Sequence, residues 1–460
     1  MNIRGLHFDM KAMIPKAEFL PCLLENIAQC GYNALLLELE DKFPFRCCPE
    51  AVHPAAYRRE DFREMNRICR KLGITVIPLL QSVGHLDYLL KHPQYRFLRE
   101  DNSVYQWCLS DSRSWEIWRA MAEELLEVFP DCTYFHIGAD EAEMPGECPR
   151  CAGKDCFQLY RGRVEACADW VLSHGRKPVM WDDVFRNHEL EIQQSLLEKV
   201  IPCVWLYREM NAPLIRKYAS LGIEFWGASC IQANYRYRGM GPQEPKQRNV
   251  DDWADIQAVT PQLTGHIGTI WGRIQSMSPQ ESNLPQSMYM IAYQGETLLH
   301  GKIADRSAFN RRFAEQFFGL PQLDMNRIVS GFCNDPDRVK AELEKWLDQP
   351  CRNADILRIW HMFNEVDVLY RYIDMCFSSN DALLSRYRRN RAPDKMIRNW
   401  RDGVRITEER TAELCGRIDE VLGRYFPSVQ LAEYKDERFT SMLEQNRRWG
   451  KLLAETRQDF

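Results

Sequence analysis

No stretch of apolar residues in this 460-residue chain is long enough to cross a bilayer, and its first residues lack the basic segment and apolar run of a secretory signal. The chain is therefore expected to be soluble, unexported and cytoplasmic, with no membrane partner. Positive charge is not in excess either. The 60 Lys and Arg stand against 65 Asp and Glu, a formal net charge of −5, so nothing in the balance favours a polyanion. Arginines crowd Ser385 to Arg405, but Glu408, Glu409, Asp419 and Glu420 follow, as on a solvated helix face, and no nucleic-acid partner is expected. No glycine-rich dinucleotide fingerprint follows the first apolar run, which counts against an open nucleotide-binding sheet. The 17 cysteines are odd in number and scattered through helical and strand patterns rather than spaced as a disulfide framework, which points to a reducing compartment.

What the chain does have is a recurring short apolar run: Gly5–Asp9, Ala34–Glu38, Ile74–Leu80, Thr133–Gly138, Lys177–Trp181, Val200–Tyr207, Ile223–Ala228 and His266–Trp271. Between these runs, segments such as Trp115–Val128 and Phe157–Val171 repeat apolar residues every three or four positions, as helices with one buried face do. Such alternation predicts an α/β protein, a (β/α)8 TIM barrel over residues 1–304, with a doubly wound open sheet as the alternative. Longer helical patterns fill 305–460, at Asp337–Leu347, Ala354–Cys376 and Thr407–Tyr425. This helical C-terminal region is expected to pack on the barrel or to form a homodimer contact.

The fourth run leads into His136-Ile137-Gly138-Ala139-Asp140-Glu141, two adjacent carboxylates at a strand end, where a parallel barrel keeps its reactive groups. In a closed pocket neighbouring acids cannot both stay ionised, so one is expected to hold a proton near neutrality. Strand alternation would place Asp140 on the side of His136 and Glu141 on the opposite one. His136 itself reads as a buried, hydrogen-bonded support. Other runs also end in polar or aromatic residues, namely Asp9, Glu40, His85, Trp181 with Asp182, Tyr207, Ser229 and Arg273, a mouth suited to an uncharged, ring-shaped molecule. Just after the carboxylates, Cys148-Pro149-Arg150-Cys151 with Cys156 offers half of a zinc site whose fourth ligand would come from elsewhere in the fold. Lacking a second such pair, the loop reads by default as ordinary free thiols, and neither a catalytic metal nor a cofactor is expected.

His136-x-Gly138-x-Asp140-Glu141 resembles the His-x-Gly-Gly-Asp-Glu signature of glycoside hydrolase family 20, the β-N-acetylhexosaminidases. Gly5-Leu6-His7-Phe8-Asp9-Met10-Lys11, Glu40-Asp41-Lys42-Phe43-Pro44, Gly84-His85-Leu86, Trp181-Asp182-Asp183 and Trp226-Gly227-Ala228-Ser229 are similar, in the same order, to the hexosaminidase D type, a branch without the large accessory domain that usually precedes the barrel. The resemblance implies an exo-acting enzyme that releases terminal GlcNAc or GalNAc with retention, the substrate's own 2-acetamido oxygen attacking the anomeric carbon. It makes Glu141 the general acid and base and Asp140 the acceptor of the acetamido N–H, with an oxazolinium-like intermediate between two steps. Trp181, Trp205, Trp226 and Trp271 would wall the apolar face of the sugar, and Tyr207 would donate to the acetamido carbonyl. Asp9, Glu40, His85, Arg273 and Glu281 are the candidates for sugar hydroxyls or for holding neighbouring carboxylates.

Three departures from the family pattern stand out. Ala139 replaces the second glycine, a change a strand should tolerate; Lys11 stands near where larger members place an arginine; and Trp271-Gly272-Arg273 replaces Trp-x-Glu, with Glu281 the candidate for the missing acid. Three rival readings remain: an amino-sugar-binding barrel without hydrolysis, an interaction protein organised by zinc at Cys148, Cys151 and Cys156, and a retaining glycosidase with a protein nucleophile, Glu40 or Asp182, about 5 Å from Glu141.

Overall fold

A segment such as Ala34-Leu35-Leu36-Leu37-Glu38 has no face to give to water, and a closed parallel sheet wrapped in helices buries both of its sides. In the computed structural model, which describes residues 2–455 apart from 143–145, 189, 191–192, 234–237, 282 and 378–393, eight strands form a closed barrel. They are β1 (Ile3–Asp9), β2 (Ala34–Glu38), β3 (Thr75–Leu79), β4 (Tyr134–His136), β5 (Lys177–Trp181), β6 (Ile201–Trp205), β7 (Phe225–Gln232) and β8 (Leu263–Ile270). All neighbours are parallel and in sequence order, and β8 closes on β1 from Ile3↔Gly265 to Leu6↔Gly268. The (β/α)8 expectation is met, and the open sheet is excluded.

Helices α1 (Leu20–Gln29), α2 (Arg59–Lys71), α3 (Ser112–Val128), α4 (Cys156–Ser173), α5 (Ala212–Ser220), α6 (Glu244–Gln257) and α7 (Met288–His300) follow every strand but β5, which is succeeded by the short helices Asp183–Arg186 and Gln194–Leu197. Side-chain caps fix where several of them start. Asp111 accepts from the Arg113 amide, Asp155 from Gln158 and Asn211 from Leu214, each at 3.0 Å. Such caps contribute about 1 kcal/mol apiece and set where the loops above the barrel end.

The barrel interior is filled by residues including Leu36, Ile77, Val179, Trp181, Cys203, Trp226 and Ile267. Trp226 corrects an expectation. Its strand runs from Phe225 to Gln232, so it is the second residue rather than near the last, and it is fully buried against Tyr134, the first residue of β4, at 4.9 Å between rings. Gly265 makes room for it, since a Cβ there would lie 2.6 Å from the indole. Trp226 therefore packs the floor of the barrel and is not a wall of its mouth. Ser229, also expected at the mouth, instead points outward, accepting from Gln294 of α7 at 2.7 Å.

The chain forms two compact units, one of Met1–Ala233, Glu244–Ser278 and Ser282–Phe309, the other of Asn234–Gln243, Pro279–Glu281 and Asn310–Phe460. The second is helical, built around α8 (Ala354–Phe377) and α9 (Asp394–Leu422), the latter starting well before the predicted Thr407. Part of the arginine-rich segment, 385–393, lies outside the described residues. Further along, Arg405 pairs with Glu409 one turn away at 2.8 Å, and Arg447 pairs with Glu408 at 2.8 Å. Among the described residues no helix is long and apolar enough to cross a membrane.

Candidate active site

Strand β4 stops at His136, and the chain then turns instead of extending. Gly138, Ala139 and Glu141 have φ values of 63°, 74° and 46°. Strand alternation therefore does not govern the acid pair, and Ala139 is not the relaxed strand residue expected but an L-residue held in the left-handed region. The turn still separates the two acids. The Asp140 side chain is 9% exposed and that of Glu141 57%. Gly138 has no alternative at its position, because a Cβ would fall 1.9 Å from Gln81 Oε1.

Four residues fix this turn. Gln81, just beyond β3, donates from Nε2 to Asp140 Oδ1 at 3.0 Å and accepts the Ala139 amide at 3.1 Å. Tyr160 of α4 donates to the Ala139 carbonyl at 2.7 Å. The Glu141 amide donates to Asp183 Oδ2 at 2.8 Å, and its carbonyl accepts from the Tyr105 hydroxyl at 3.2 Å. Asp183 in turn accepts from the Trp205 indole at 3.1 Å. Of these four, only Asp183 lay in a motif legible in the sequence; Gln81, Tyr105 and Tyr160 carry no pattern of their own.

His85, with φ of 53°, faces both acids. Its Nε2 lies 3.3 Å from Asp140 Oδ2 and 3.5 Å from Glu141 Oε2, and the Tyr105 ring packs edge-on against it at 4.8 Å. Burial alone would raise the Asp140 carboxyl, but the charge and hydrogen bond of His85, with the Gln81 amide, hold it below its ordinary value. Burial likewise opposes a charged His85, yet the field of Asp140 keeps its imidazole protonated well above the usual range. Asp140 is thus not the acid that holds a proton, and the closed pocket assumed for the pair does not extend to Glu141.

Proton affinity rises next door. Burial, then the nearby Asp140 charge, lifts Asp183 to about 6. Burial lifts Asp182 to about 7 against the opposing charge of Arg186. The Asp182 carboxylate is fully engaged by Arg186 at 3.0 Å, the Trp205 amide at 3.3 Å and the Tyr218 hydroxyl at 3.2 Å. His136 is the expected support. Its Nδ1 accepts the Gly138 amide at 3.0 Å, its ring tilts on Trp181 at 4.5 Å, and burial pushes its pKa down to about 3, leaving it neutral.

A second ionic network spans the ends of β1 and β2. Glu38, which closes β2, accepts from His7 Nε2 at 2.9 Å and from Lys11 Nζ at 2.6 Å, and Lys11 also lies 3.5 Å from both Asp9 and Glu40. Lys11 is therefore consumed inside the protein. So is Asp9, whose oxygens accept the Lys11 and Gly272 amides at 2.8 Å each, clamping the end of β1 to the residues after β8. Glu40 differs. Its φ is 42°, it is 5% exposed, and neither carboxyl oxygen has a hydrogen-bond partner among the described residues. Burial, only partly offset by Lys11, raises its pKa well above the carboxylate range.

Aromatic side chains gather where the acids end. Trp181 and Trp271 lie 6.2 Å apart, Trp205 and Tyr207 5.1 Å apart, and the Trp271 indole donates to the Tyr207 hydroxyl at 3.2 Å. Three of the four expected tryptophans thus share one neighbourhood with Tyr207, while Trp226 is at the opposite end. Arg273 is buried after β8 and donates to the Ser276 carbonyl at 2.6 Å. Glu281 is buried and belongs to the second unit. In the loop after the acid pair, Cys148 and Cys151 meet Cys108 and Glu100, and Cys156 is not part of that group.

The chain is also similar to known proteins. The profile of the glycosyl hydrolase family 20 catalytic domain matches residues 31–262. The chain is 27% identical over 351 residues to Hexosaminidase D of Bos taurus, an alignment covering 70% of this chain and 98% of that protein. Hexosaminidase D of Homo sapiens is 27% identical over 327 residues, covering 65% of this chain and 66% of that protein. Among solved structures, a β-N-acetylhexosaminidase from Bacteroides fragilis superposes with a TM-score of 0.55 at 17% identity, covering 68% of this chain and 69% of that one. At that identity the superposition speaks for the fold alone.

Proposed function

The chain belongs to glycosyl hydrolase family 20 and is a glycoside hydrolase of the β-N-acetylhexosaminidase kind, and from that premise we propose that it removes single terminal GlcNAc or GalNAc residues from oligosaccharides or glycoconjugates with retention, through an oxazolinium-like intermediate. The observation that carries this reading is the unequal treatment of the adjacent acids. Asp140 is buried, ionised and fixed by Gln81 and His85, as a group must be that orients an acetamido N–H and stabilises the positive charge developing on it. Glu141 has a clamped main chain and an exposed side chain, as suits a group that protonates a leaving oxygen and then deprotonates water.

The sugar's apolar face would lie among Trp181, Trp205 and Trp271, with Tyr207 donating to the acetamido carbonyl, and the Glu40 carboxyl, whose oxygens accept no hydrogen bond among the described residues, would take a ring hydroxyl. A protein nucleophile is disfavoured on the same geometry. Asp182 has its oxygens occupied by three donors, and burial raises the proton affinity of Glu40 well above the carboxylate range, which counts against an ionised nucleophile there. A cytoplasmic setting belongs to the proposal, supported by 17 cysteines of which none is in a disulfide.

The test compares aryl N-acetyl-β-glucosaminide, aryl N-acetyl-β-galactosaminide and the plain aryl β-glucoside. Cleavage confined to the two acetamido sugars is expected, and their rate ratio gives the gluco or galacto preference. Equal cleavage of the plain glucoside would overturn substrate assistance.

His85 also sets a pH dependence. Its raised pKa contributes stability that is complete below the ordinary imidazole value and is lost as pH rises through the shifted one. The lowered pKa of Asp140 contributes above the ordinary carboxylate value and is lost as pH falls. Between those two ordinary values both groups are charged. Replacing His85 with Gln removes the cation, so Asp140 takes up its proton more readily and the acid limb of the kcat/KM profile moves to higher pH. An unmoved acid limb in that variant would show that His85 does not govern the charge on Asp140.

A further inference from the structure

Beside the catalytic turn is a site of a different kind. One carboxylate oxygen of Glu100 and the sulfurs of Cys108, Cys148 and Cys151 all lie within 4.8 Å of one another, and all four residues are buried. The Cys108 sulfur is 3.4 Å from that of Cys148 and 3.5 Å from that of Cys151, which is 3.3 Å from Glu100 Oε2. Two separate stretches supply two ligands each. In the first, Glu100 and Cys108 sit on a short hairpin closed by the bridge Arg99↔Trp107, with the Glu100 amide donating to Gln106 and the Cys108 amide to Leu98. In the second, Cys148-Pro149-Arg150-Cys151 turns so tightly that the Cys151 and Ala152 amides both donate to the Cys148 carbonyl at 2.9 Å. That turn sets the two thiols on one side.

Glu100 is aimed as well as near. Its Oε1 accepts the Gly146 amide at 3.0 Å and the Cys148 amide at 2.9 Å, which turns Oε2 toward the sulfurs. A packed cluster of neutral thiols would account for the burial of three cysteines but not for a buried carboxylate oxygen directed at them, since thiols are weak donors. A tetrahedral zinc ion with Zn–S bonds of about 2.3 Å has S···S edges of about 3.8 Å, so the two edges that meet at Cys108 would open by only a few tenths of an ångström. We propose that Glu100, Cys108, Cys148 and Cys151 form a structural site for a thiolate-binding divalent cation of the zinc type. Four protein ligands close the coordination sphere and leave no position for a substrate, which makes the metal a clamp. What it clamps is specific. The hairpin that carries Glu100 and Cys108 also carries Tyr105, whose hydroxyl holds the Glu141 carbonyl and whose ring backs His85.

The experiment measures metal in the full-length chain purified with its thiols kept reduced. About one zinc per chain is expected, released by a mercurial thiol reagent. Exchange for cobalt should give thiolate-to-cobalt charge-transfer bands and the d–d bands of a tetrahedral ion. Cys108→Ser and Cys148→Ser should lose the metal, Glu100→Gln should release it more readily to a chelator, and Cys156→Ser should keep it. A wild-type protein that stays metal-free both as purified and after dialysis against zinc would overturn the site, as would a Cys108–Cys148 disulfide in non-reduced peptide maps of freshly isolated protein. Neither readout depends on the variants folding or on the hydrolytic reading.

Discussion

Asp140→Asn is expected to lower kcat on aryl N-acetyl-β-glucosaminide by about 10³-fold, with much less change in KM. The substitution keeps the size of the side chain and leaves Oδ1 available to Gln81, but it removes the negative charge that His85 pairs with. Substrate-assisted attack works because the acetamido oxygen is already in place, and a well-oriented intramolecular nucleophile is equivalent to an external one at about 10⁵ M or more. The carboxylate would act twice, in fixing that orientation and in stabilising the positive charge that spreads onto the acetamido nitrogen. Both effects grow toward the transition state, so they appear in kcat. Binding of a thiazoline analogue of the intermediate should therefore weaken far more than binding of free GlcNAc. Equal losses for the two ligands, or a kcat within tenfold of wild type, would remove Asp140 from this role.

Glu141→Gln is expected to cost about 10²- to 10⁴-fold in kcat/KM on substrates whose leaving group needs a proton and far less when the leaving group is dinitrophenolate, which departs unaided, while kcat on that activated sugar falls because opening of the intermediate has lost its base. The Glu141 main chain is tied to Asp183 and Tyr105 through its amide and carbonyl, neither of which this substitution touches, so the fold of the turn should survive. With the activated aryl sugar, azide should restore turnover and be recovered as the β-glycosyl azide, because an anion needs no deprotonation to open the intermediate. An α-glycosyl azide would mean single displacement and end the retaining reading. A loss in kcat/KM that is uniform across leaving groups would place Glu141 outside the proton transfer to the leaving oxygen.

Period and order in the sequence were enough for the barrel. The runs Ala34–Glu38 and Lys177–Trp181 coincide with β2 and β5 because strands buried on both faces are apolar from end to end and stop where a polar residue enters the mouth. Trp226 was misplaced because an apolar run does not show which of its ends is the carboxyl end once the strand extends to Gln232. The acid pair was legible, but its geometry was not. Alternation presumes extended backbone, and three left-handed residues within Gly138 to Glu141 break it. Asp9 read as a ligand for sugar hydroxyls or a support for neighbouring carboxylates because it ends a strand; two backbone amides more than 260 residues apart in sequence converge on it, and only the closed barrel brings them together. Gln81, Tyr105 and Tyr160 were invisible for the same reason, as was the meeting of Cys148 and Cys151 with Cys108 and Glu100 rather than with Cys156.

Glu40, His85, Ala139 and Glu141 are four of the eight described non-glycine residues with positive φ, and all four stand at the mouth of one barrel. Each such residue typically costs about 1 kcal/mol or more relative to a relaxed conformation. Together they draw on a margin that for a whole domain is only about 5–15 kcal/mol. Adaptation to heat would find its easiest gains there, by substituting glycine or asparagine, and at Glu40, His85 and Glu141 each gain would remove a group the reaction is proposed to use. Descendants of this chain that move to warmer conditions should therefore gain tolerance in the helices and loops around the barrel while the strained mouth stays as it is.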